Sequence, residues 1–286
     1  MKLILGEHTI DCTNRTAVMG ILNVSDDSPI RESIVMTGSA IDRAVELTRE
    51  GAEIIDVGAV STSSGSRALD TQEEIDRVCP AIESIVREGI PTSVDTWNPL
   101  VARAAVEAGV HLLNDVSGFS DPEMIKVAGA AGISCAVMHM RGEPTRHYEV
   151  DQFYDDVTNE VQSFLVERAT ALEAVNAGQV WFDPGFQFGK AMSDNVSLFS
   201  SLGSLIAIGR PVLISASRKG FLAELLGHRR RQDVEGLLEA TLAFNVLAAY
   251  AGVHVVRVHD VASVTKALSL VNGLRMHLGN KLRRPE

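Results

Sequence analysis

The chain has 286 residues, 45% of them hydrophobic and 22% charged, enough apolar material for one large core and unlike a low-complexity or disordered composition. A net charge of −11 argues against a nucleic-acid partner, which is bound largely through basic surface, yet leaves room for a small anion in a locally positive cleft. No stretch approaches the roughly 18 apolar residues of a membrane span. The N-terminal apolar residues are interrupted at once by Gly6, Glu7 and His8, and the three cysteines, Cys12, Cys79 and Cys135, lack metal-ligand spacing. The sequence therefore reads as a soluble, cytoplasmic protein with buried, inert thiols.

No Pro/Ser-rich linker or change of texture divides the chain, so residues 1–286 read as a single domain. Ile4 and Ile10 flank the Gly6-Glu7-His8 turn and predict a short N-terminal hairpin. From about residue 16, short apolar runs alternate with longer stretches of 3.6-residue period. The predicted strands are 17–24, 53–57, 92–95, 111–115, 133–139, 180–183, 211–215 and 254–259. The predicted helices include 39–50, 71–87, 99–108, 121–131, 155–177 and 234–251, and glycine (Gly51, Gly89, Gly109, Gly132, Gly178, Gly252) repeatedly marks the turn into the next strand. Continuous Val/Ile/Leu strands joined by helices imply a parallel sheet buried on both faces. Eight such units fit an α/β fold of the (β/α)8 TIM-barrel type, with the hairpin closing its bottom; six strands would exhaust the competing doubly wound sheet.

In such a barrel, chemistry sits at the C-terminal strand ends. Here those ends carry Asn23, Asp56, Asp95-Thr96, Asn114-Asp115, His139, Asp183, Ser217-Arg218-Lys219, and Arg257 with His259. A lone Asp after a strand is commonly a cap, as Asp70 and Asp121 are read here. Polar residues at all eight ends point instead to a shared polar pocket, since buried acids and amides need partners. Asp95, Asp183 and Asn114 suit the amino and ring N–H groups of a flat heterocycle; Lys219, Arg257 and His259 suit phosphate; Asn23 offers an oxygen for Mg²⁺. The Arg229-Arg230-Arg231 cluster, followed by Gln232 and Asp233, reads as a solvated loop.

The residues at these ends resemble the ordered motifs of dihydropteroate synthases over nearly the whole chain. They are Met19-Gly20-Ile21-Leu22-Asn23-Val24-Ser25, Ile54-Ile55-Asp56-Val57-Gly58, Ser93-Val94-Asp95-Thr96 and Leu113-Asn114-Asp115, then Met138-His139-Met140-Arg141-Gly142. Asp183-Pro184-Gly185-Phe186 with Phe188-Gly189-Lys190, Ser217-Arg218-Lys219 and Arg257-Val258-His259-Asp260 follow. The resemblance implies that Asp95, Asn114, Asp183, Lys219 and Met138 hold a pterin, that Thr62, Arg257 and His259 face its diphosphate, and that Asn23 binds Mg²⁺. It places 4-aminobenzoate against Ser61, Thr62, Ser63, Phe188, Ser217 and Arg218, and makes Lys219, Arg257 and His259 the catalytic groups of an SN1-like loss of diphosphate. It also implies a homodimer, which the apolar stretch 240–251 would suit.

The departures lie in the aminobenzoate half. Ser61-Thr62-Ser63-Ser64-Gly65 replaces the usual Ser-Thr-Arg-Pro-Gly, and Asp27-Ser28-Pro29-Ile30-Arg31 replaces Asp-Ser-Phe-Ser-Asp. Ser215 and Gln187 stand where glycine is common, while Arg67 offers a loop arginine further on. An active synthase of the sulfonamide-insensitive, resistance type and a pterin-binding paralogue without synthase activity both remain open. A methyltetrahydrofolate corrinoid methyltransferase would keep the pterin pocket but has no use for Ser217-Arg218-Lys219 together with Arg257-Val258-His259.

Overall fold

The computed structural model describes residues 1–24, 39–60, 69–147, 149–228 and 237–278. It opens with an antiparallel hairpin, β1 (Lys2–Leu5) and β2 (His8–Asp11). Eight parallel strands follow: β3 (Ala17–Asn23), β4 (Ile54–Gly58), β5 (Thr92–Asp95), β6 (Leu112–Asp115), β7 (Ser134–Met138), β8 (Val180–Asp183), β9 (Leu213–Ile214) and β10 (Val255–Val258). Their order, β8-β7-β6-β5-β4-β3-β10-β9, is completed by a parallel bridge between Phe182 and Val212, so the sheet returns on itself as the expected TIM barrel. Strand β9 is shorter than the predicted run 211–215: Val212 gives its N–H to His254 Nδ1 at 3.0 Å and joins β8 only through the isolated bridge to Phe182.

Helices α1 (Ala40–Glu50), α2 (Thr71–Arg87), α3 (Pro99–Glu107), α4 (Pro122–Ala131) and α5 (Val157–Ala174) each follow a strand, as predicted. The structure adds α6 (Met192–Ser200), α7 (Leu202–Ala207), α8 (Gly220–Leu225) and α10 (Val261–Leu278) to the predicted set, beside α9 (Leu238–Ala251). Asp70 and Asp121 are caps, accepting from the N–H groups of Glu73 and Glu123 at 2.8 Å each. Asp156 caps α5 the same way through Asn159 N–H, which is why the helix begins after residue 155.

Strand alternation sorts the side chains into two shells. Val57, Val94, Leu113, Val137, Phe182, Ile214 and Val256 face out and pack beneath the helices. The other set faces in and forms two layers. The lower one joins Ala17, Met19, Ile54, Leu112, Ala136, Trp181, Leu213 and Val255 to Leu3, Leu5, Ile10 and Cys12, so the hairpin does plug the bottom of the barrel. Gln179 fastens it, donating to Lys2 O at 2.9 Å and accepting from Ile4 N–H at 3.0 Å. Two residues further along the same strands come Asp56, Asp95, Asn114, Met138, Asp183, Ser215 and Arg257. The polar ends are thus the upper layer of one barrel interior.

Cys12 and Cys135 are buried and Cys79 is half-buried. Burial raises all three thiols, Cys12 and Cys79 to about 11, which keeps them protonated and unreactive. Among the described residues no helix is long and apolar enough to cross a membrane.

Candidate active site

Registry brings the upper layer together. Asp95 lies opposite Asn114 on β6 and Gly58 on β4, Met138 opposite Asp183, and Arg257 opposite Met19. Arg257 spans the pocket: Nε donates to Asp56 Oδ2 at 2.5 Å and a terminal nitrogen to Asp95 Oδ2 at 2.7 Å. Burial alone would lower the guanidinium, but Asp56 and Asp95 outweigh it and hold Arg257 charged. Asn114 Nδ2 reaches the Asp56 carboxylate at 3.4 Å, so Asp56 links the amide to the cation. Asp56 was legible as a polar strand end, but nothing local marked it as the partner of a residue 201 positions away.

The other side of the pocket is carried by Asp183 and Lys219. Asp183 accepts from Gly185 N–H at 2.7 Å, and burial raises its carboxyl to about 6. Lys219 heads α8, donates to Phe186 O at 3.2 Å and sets its ammonium 4.0 Å from the Phe188 ring centroid. Burial lowers Lys219 to about 7 against the opposing pull of Asp183. Burial likewise pushes the Asp95 carboxyl up, and one of its oxygens, Oδ1, is buried without a hydrogen-bond partner. A buried acceptor left open beside a charged one is the feature a ligand N–H would satisfy. Met138, Val116, Met140 and Phe188 form a small apolar cluster with Trp97 packed against it.

His259 and its neighbours form the rim. Ser217 Oγ accepts from His259 N–H at 3.2 Å and lies 3.0 Å from Nδ1, and burial lowers the imidazole to about 3, leaving it neutral. Arg218, expected to touch 4-aminobenzoate, gives its guanidinium to Asp260 through contacts of 2.9 and 2.5 Å. Its backbone takes φ 55°, and the pair ties Arg218 to the residue that precedes α10. A cleft beside His259 is lined by Asp260, Val261, Ala262 and Ser263 at the first turn of α10, with Arg43 and Glu50 opposite.

Several polar strand ends do not enter the pocket. Asp115 accepts from Ser117 and Phe119 N–H at 2.7 and 2.9 Å and shapes a turn, and Thr96 donates to Glu74 at 2.8 Å. His139 packs edge-on against Phe164, 5.1 Å between centroids, and burial lowers it to about 2. Lys190, which had no assigned role, is fully buried and donates to the carbonyls of His139, Gly185 and Phe188 at 3.1, 2.9 and 3.1 Å. Gly185, at φ 68°, lets those two loops meet, since a Cβ there would collide with the His139 carbonyl. Gln187 takes φ 77° where a glycine would be unstrained, its N–H held by Asn195 at 2.6 Å.

Ser61, Thr62, Ser63, Ser64 and Arg67, residues 27–31 and the 229–231 cluster lie outside the described residues. Asn23 closes β3 opposite Gly58, where a Cβ would approach Asp95 Cβ to 3.3 Å and Asn23 Oδ1 to 3.9 Å, so glycine leaves space between amide and acid. Among the described residues no group of three His, Cys, Asp or Glu side chains is set to hold a metal. Asn23, expected to hold Mg²⁺, offers a side-chain oxygen of the kind such an ion takes, at the end of β3 beside Gly58.

Residues 19–259 match the family described as pterin binding enzyme. The dihydropteroate synthase of Mycobacterium leprae is 38% identical over 275 residues, covering 93% of this chain and 95% of the relative. The Thermus thermophilus synthase solved with 4-aminobenzoate superposes with a TM-score of 0.84 at 35% identity, covering 96% of this chain and all of that one. The Yersinia pestis synthase solved with a sulfonamide drug superposes with a TM-score of 0.88 at 31% identity over the same shares. The closed barrel, the pterin-binding match and full-length relatives agree, and the chain belongs to the dihydropteroate synthase family of pterin-binding transferases of folate biosynthesis.

Proposed function

We propose that the chain condenses 7,8-dihydropterin-6-ylmethyl diphosphate with 4-aminobenzoate, giving 7,8-dihydropteroate and diphosphate. The observation that carries this reading is the upper barrel layer, where Asp95, Asn114 and Asp183 stand within one buried pocket with Lys219 and Arg257. The carboxylates and amide suit the pterin's amino and ring N–H groups, with Met138 against the ring. Loss of diphosphate breaks the methylene C–O bond and leaves its electron pair on phosphate. Arg257 and Lys219 oppose that growing negative charge, and neutral His259 at the mouth of the α10 cleft donates to it. The amine nitrogen of 4-aminobenzoate then bonds to the methylene carbon and releases its proton to solvent or diphosphate. A Mg²⁺ ion held in part by Asn23 would supply further positive charge to the diphosphate, and Thr62 would contact the same group.

Phe188, Ser217, Arg218 and the 61–63 segment form the proposed 4-aminobenzoate side. A relative binds a sulfonamide, while this chain lacks the usual loop Arg-Pro and first-loop aromatic, so we place reduced sulfonamide sensitivity there. Discrimination is a difference of affinities, and a penalty of about 3 kcal/mol against the drug raises its inhibition constant roughly 100-fold. The half-exposed Leu247 and Tyr250 on α9, with Leu270 and Leu274 on α10, suit a homodimer face. Expression in a bacterium lacking its own synthase tests the whole reading. Growth without added folate products is expected, and should persist at sulfamethoxazole levels that stop the parental strain. No growth despite soluble protein favours the pterin-binding paralogue, and growth abolished by ordinary drug levels removes the resistance claim.

A further inference from the structure

The segment that follows β7 does more than connect it to α5. Arg141 pairs with Glu160 through contacts of 2.8 and 2.5 Å, donates to Phe153 O at 2.5 Å and lies 3.6 Å over the Tyr154 ring. Tyr154 in turn donates its hydroxyl proton to Gly189 O at 2.9 Å, one residue from Phe188. Gly189, at φ 63°, lets Arg141 approach: a Cβ there would meet Arg141 Cβ at 3.0 Å. The two loops are therefore fastened at both ends of a short arc.

Within that arc lies His147, 1% exposed, with Nδ1 2.9 Å from Pro144 O and its ring centroid 4.7 Å from that of Phe188, tilted by 49°. Phe188 is itself the ring beside the Lys219 ammonium. The order His147, Phe188, Lys219 runs from a buried loop histidine to the cation of the pocket. Aromatic pairs of this separation contribute stabilisation beyond their burial, and they restrict the ring's tilt. A phenyl ring with one neighbour fixed by a fastened loop and the other by a buried cation has little freedom.

We infer that His147 is a positioning residue for the aromatic amine: it braces Phe188 so that this ring presents one defined wall to the acceptor substrate. The inference rests on the proposed synthase reading, and deepens it by assigning acceptor fit to a loop outside the 27–31 and 61–67 segments. Because His147 acts through Phe188 and stands on the acceptor side, its removal affects the amine and spares the pterin.

Steady-state kinetics of the full chain with both substrates varied, for wild type, His147→Ala and His147→Phe, test this. In His147→Ala the KM for 4-aminobenzoate should rise about tenfold, with kcat and the KM for the pterin diphosphate within twofold of wild type. In His147→Phe, which keeps a ring against Phe188, the amine KM should return to within twofold. An unchanged amine KM in a folded His147→Ala, or parallel losses in both KM values and kcat, would overturn the inference. If His147→Ala does not fold, His147→Phe decides alone: a folded Phe variant with a tenfold higher amine KM overturns it, and a near-wild-type value supports it. A wild-type chain that makes no dihydropteroate fails the proposed function instead. The inference then stands on calorimetric binding of 4-aminobenzoate to the pterin-loaded protein, weaker by about tenfold in His147→Ala, and it falls if wild type and variant bind alike or neither binds.

Discussion

The lower and upper layers of the barrel interior are built from the same strands two residues apart, yet they are chemically opposite. Trp181 and Asp183 share β8, Ile54 and Asp56 share β4, and Val255 and Arg257 share β10. Below, the side chains are apolar and sealed by the hairpin; above, they are acids, an amide and cations with burial-shifted protonation. This barrel thus separates its stability from its chemistry by one step of strand alternation. Ser93 sits in the lower stretch of β5 with its hydroxyl buried and unpartnered, a polar group on the apolar side of that boundary.

Substitutions in the two layers should therefore move different observables. The largest effect is expected below: Trp181→Ala removes a fully buried indole whose Nε1 donates to Gln179 at 2.9 Å, and should cost about 3–5 kcal/mol in chemical denaturation. Pterin affinity of the molecules that remain folded should be unchanged. If affinity falls with stability, the layers are not separable.

Above, Asp183→Asn should weaken pterin binding by about 1.5–3 kcal/mol in calorimetry, through loss of a charge-assisted hydrogen bond. Its effect on folding should have the opposite sign. The folded Asp183 carboxyl is raised from 3.8 to about 6, so its ionisation disfavours the fold increasingly as pH rises through that range. At pH 7 to 8 the Asn variant should melt no lower than wild type, and a drop of several degrees would contradict the separation.

Lys219→Ala should lower kcat/KM at least about tenfold by removing positive charge opposite the departing diphosphate. The pH profile sharpens this. Lys219 is lowered to about 7, so its charge is present below that pH and lost above it; Asp183, at about 6, is ionised above that pH and protonated below it. A bell-shaped kcat/KM follows, and Lys219→Ala should remove its alkaline limb while keeping the acidic one. A flat alkaline side in the wild type would remove Lys219 from the role.

The smallest effect belongs to the outer shell. Asp121→Ala should cost about 1 kcal/mol of stability through loss of the α4 cap and leave kcat/KM alone. A kinetic change there would mean that the helices report to the pocket.

The barrel was legible because its signals are local. Continuous Val/Ile runs at 54–57 and 180–183, glycine at Gly51, Gly132 and Gly252 after the helices, and Asp at positions 70 and 121 before them each follow from backbone geometry within a few residues. The helices α6 and α8 escaped because they are short inserts after β8 and β9, without an amphipathic run long enough to read.

Local patterns in the chain were enough to place the eight strands, six of the helices, the caps at Asp70 and Asp121 and the acids, amides and cations at the strand ends. Which of those groups face one another depends on how the barrel closes. Strand alternation sends Asn114 inward but Asp115 outward, and Met138 inward but His139 outward, though each pair is adjacent in the chain. Closure of the barrel sets Arg257 on Asp56 and Asp95, 201 and 162 residues away, and Arg218 on Asp260, 42 residues away. An ion pair depends on distance in space, and barrel registry, which no short stretch of sequence contains, is what fixes that distance.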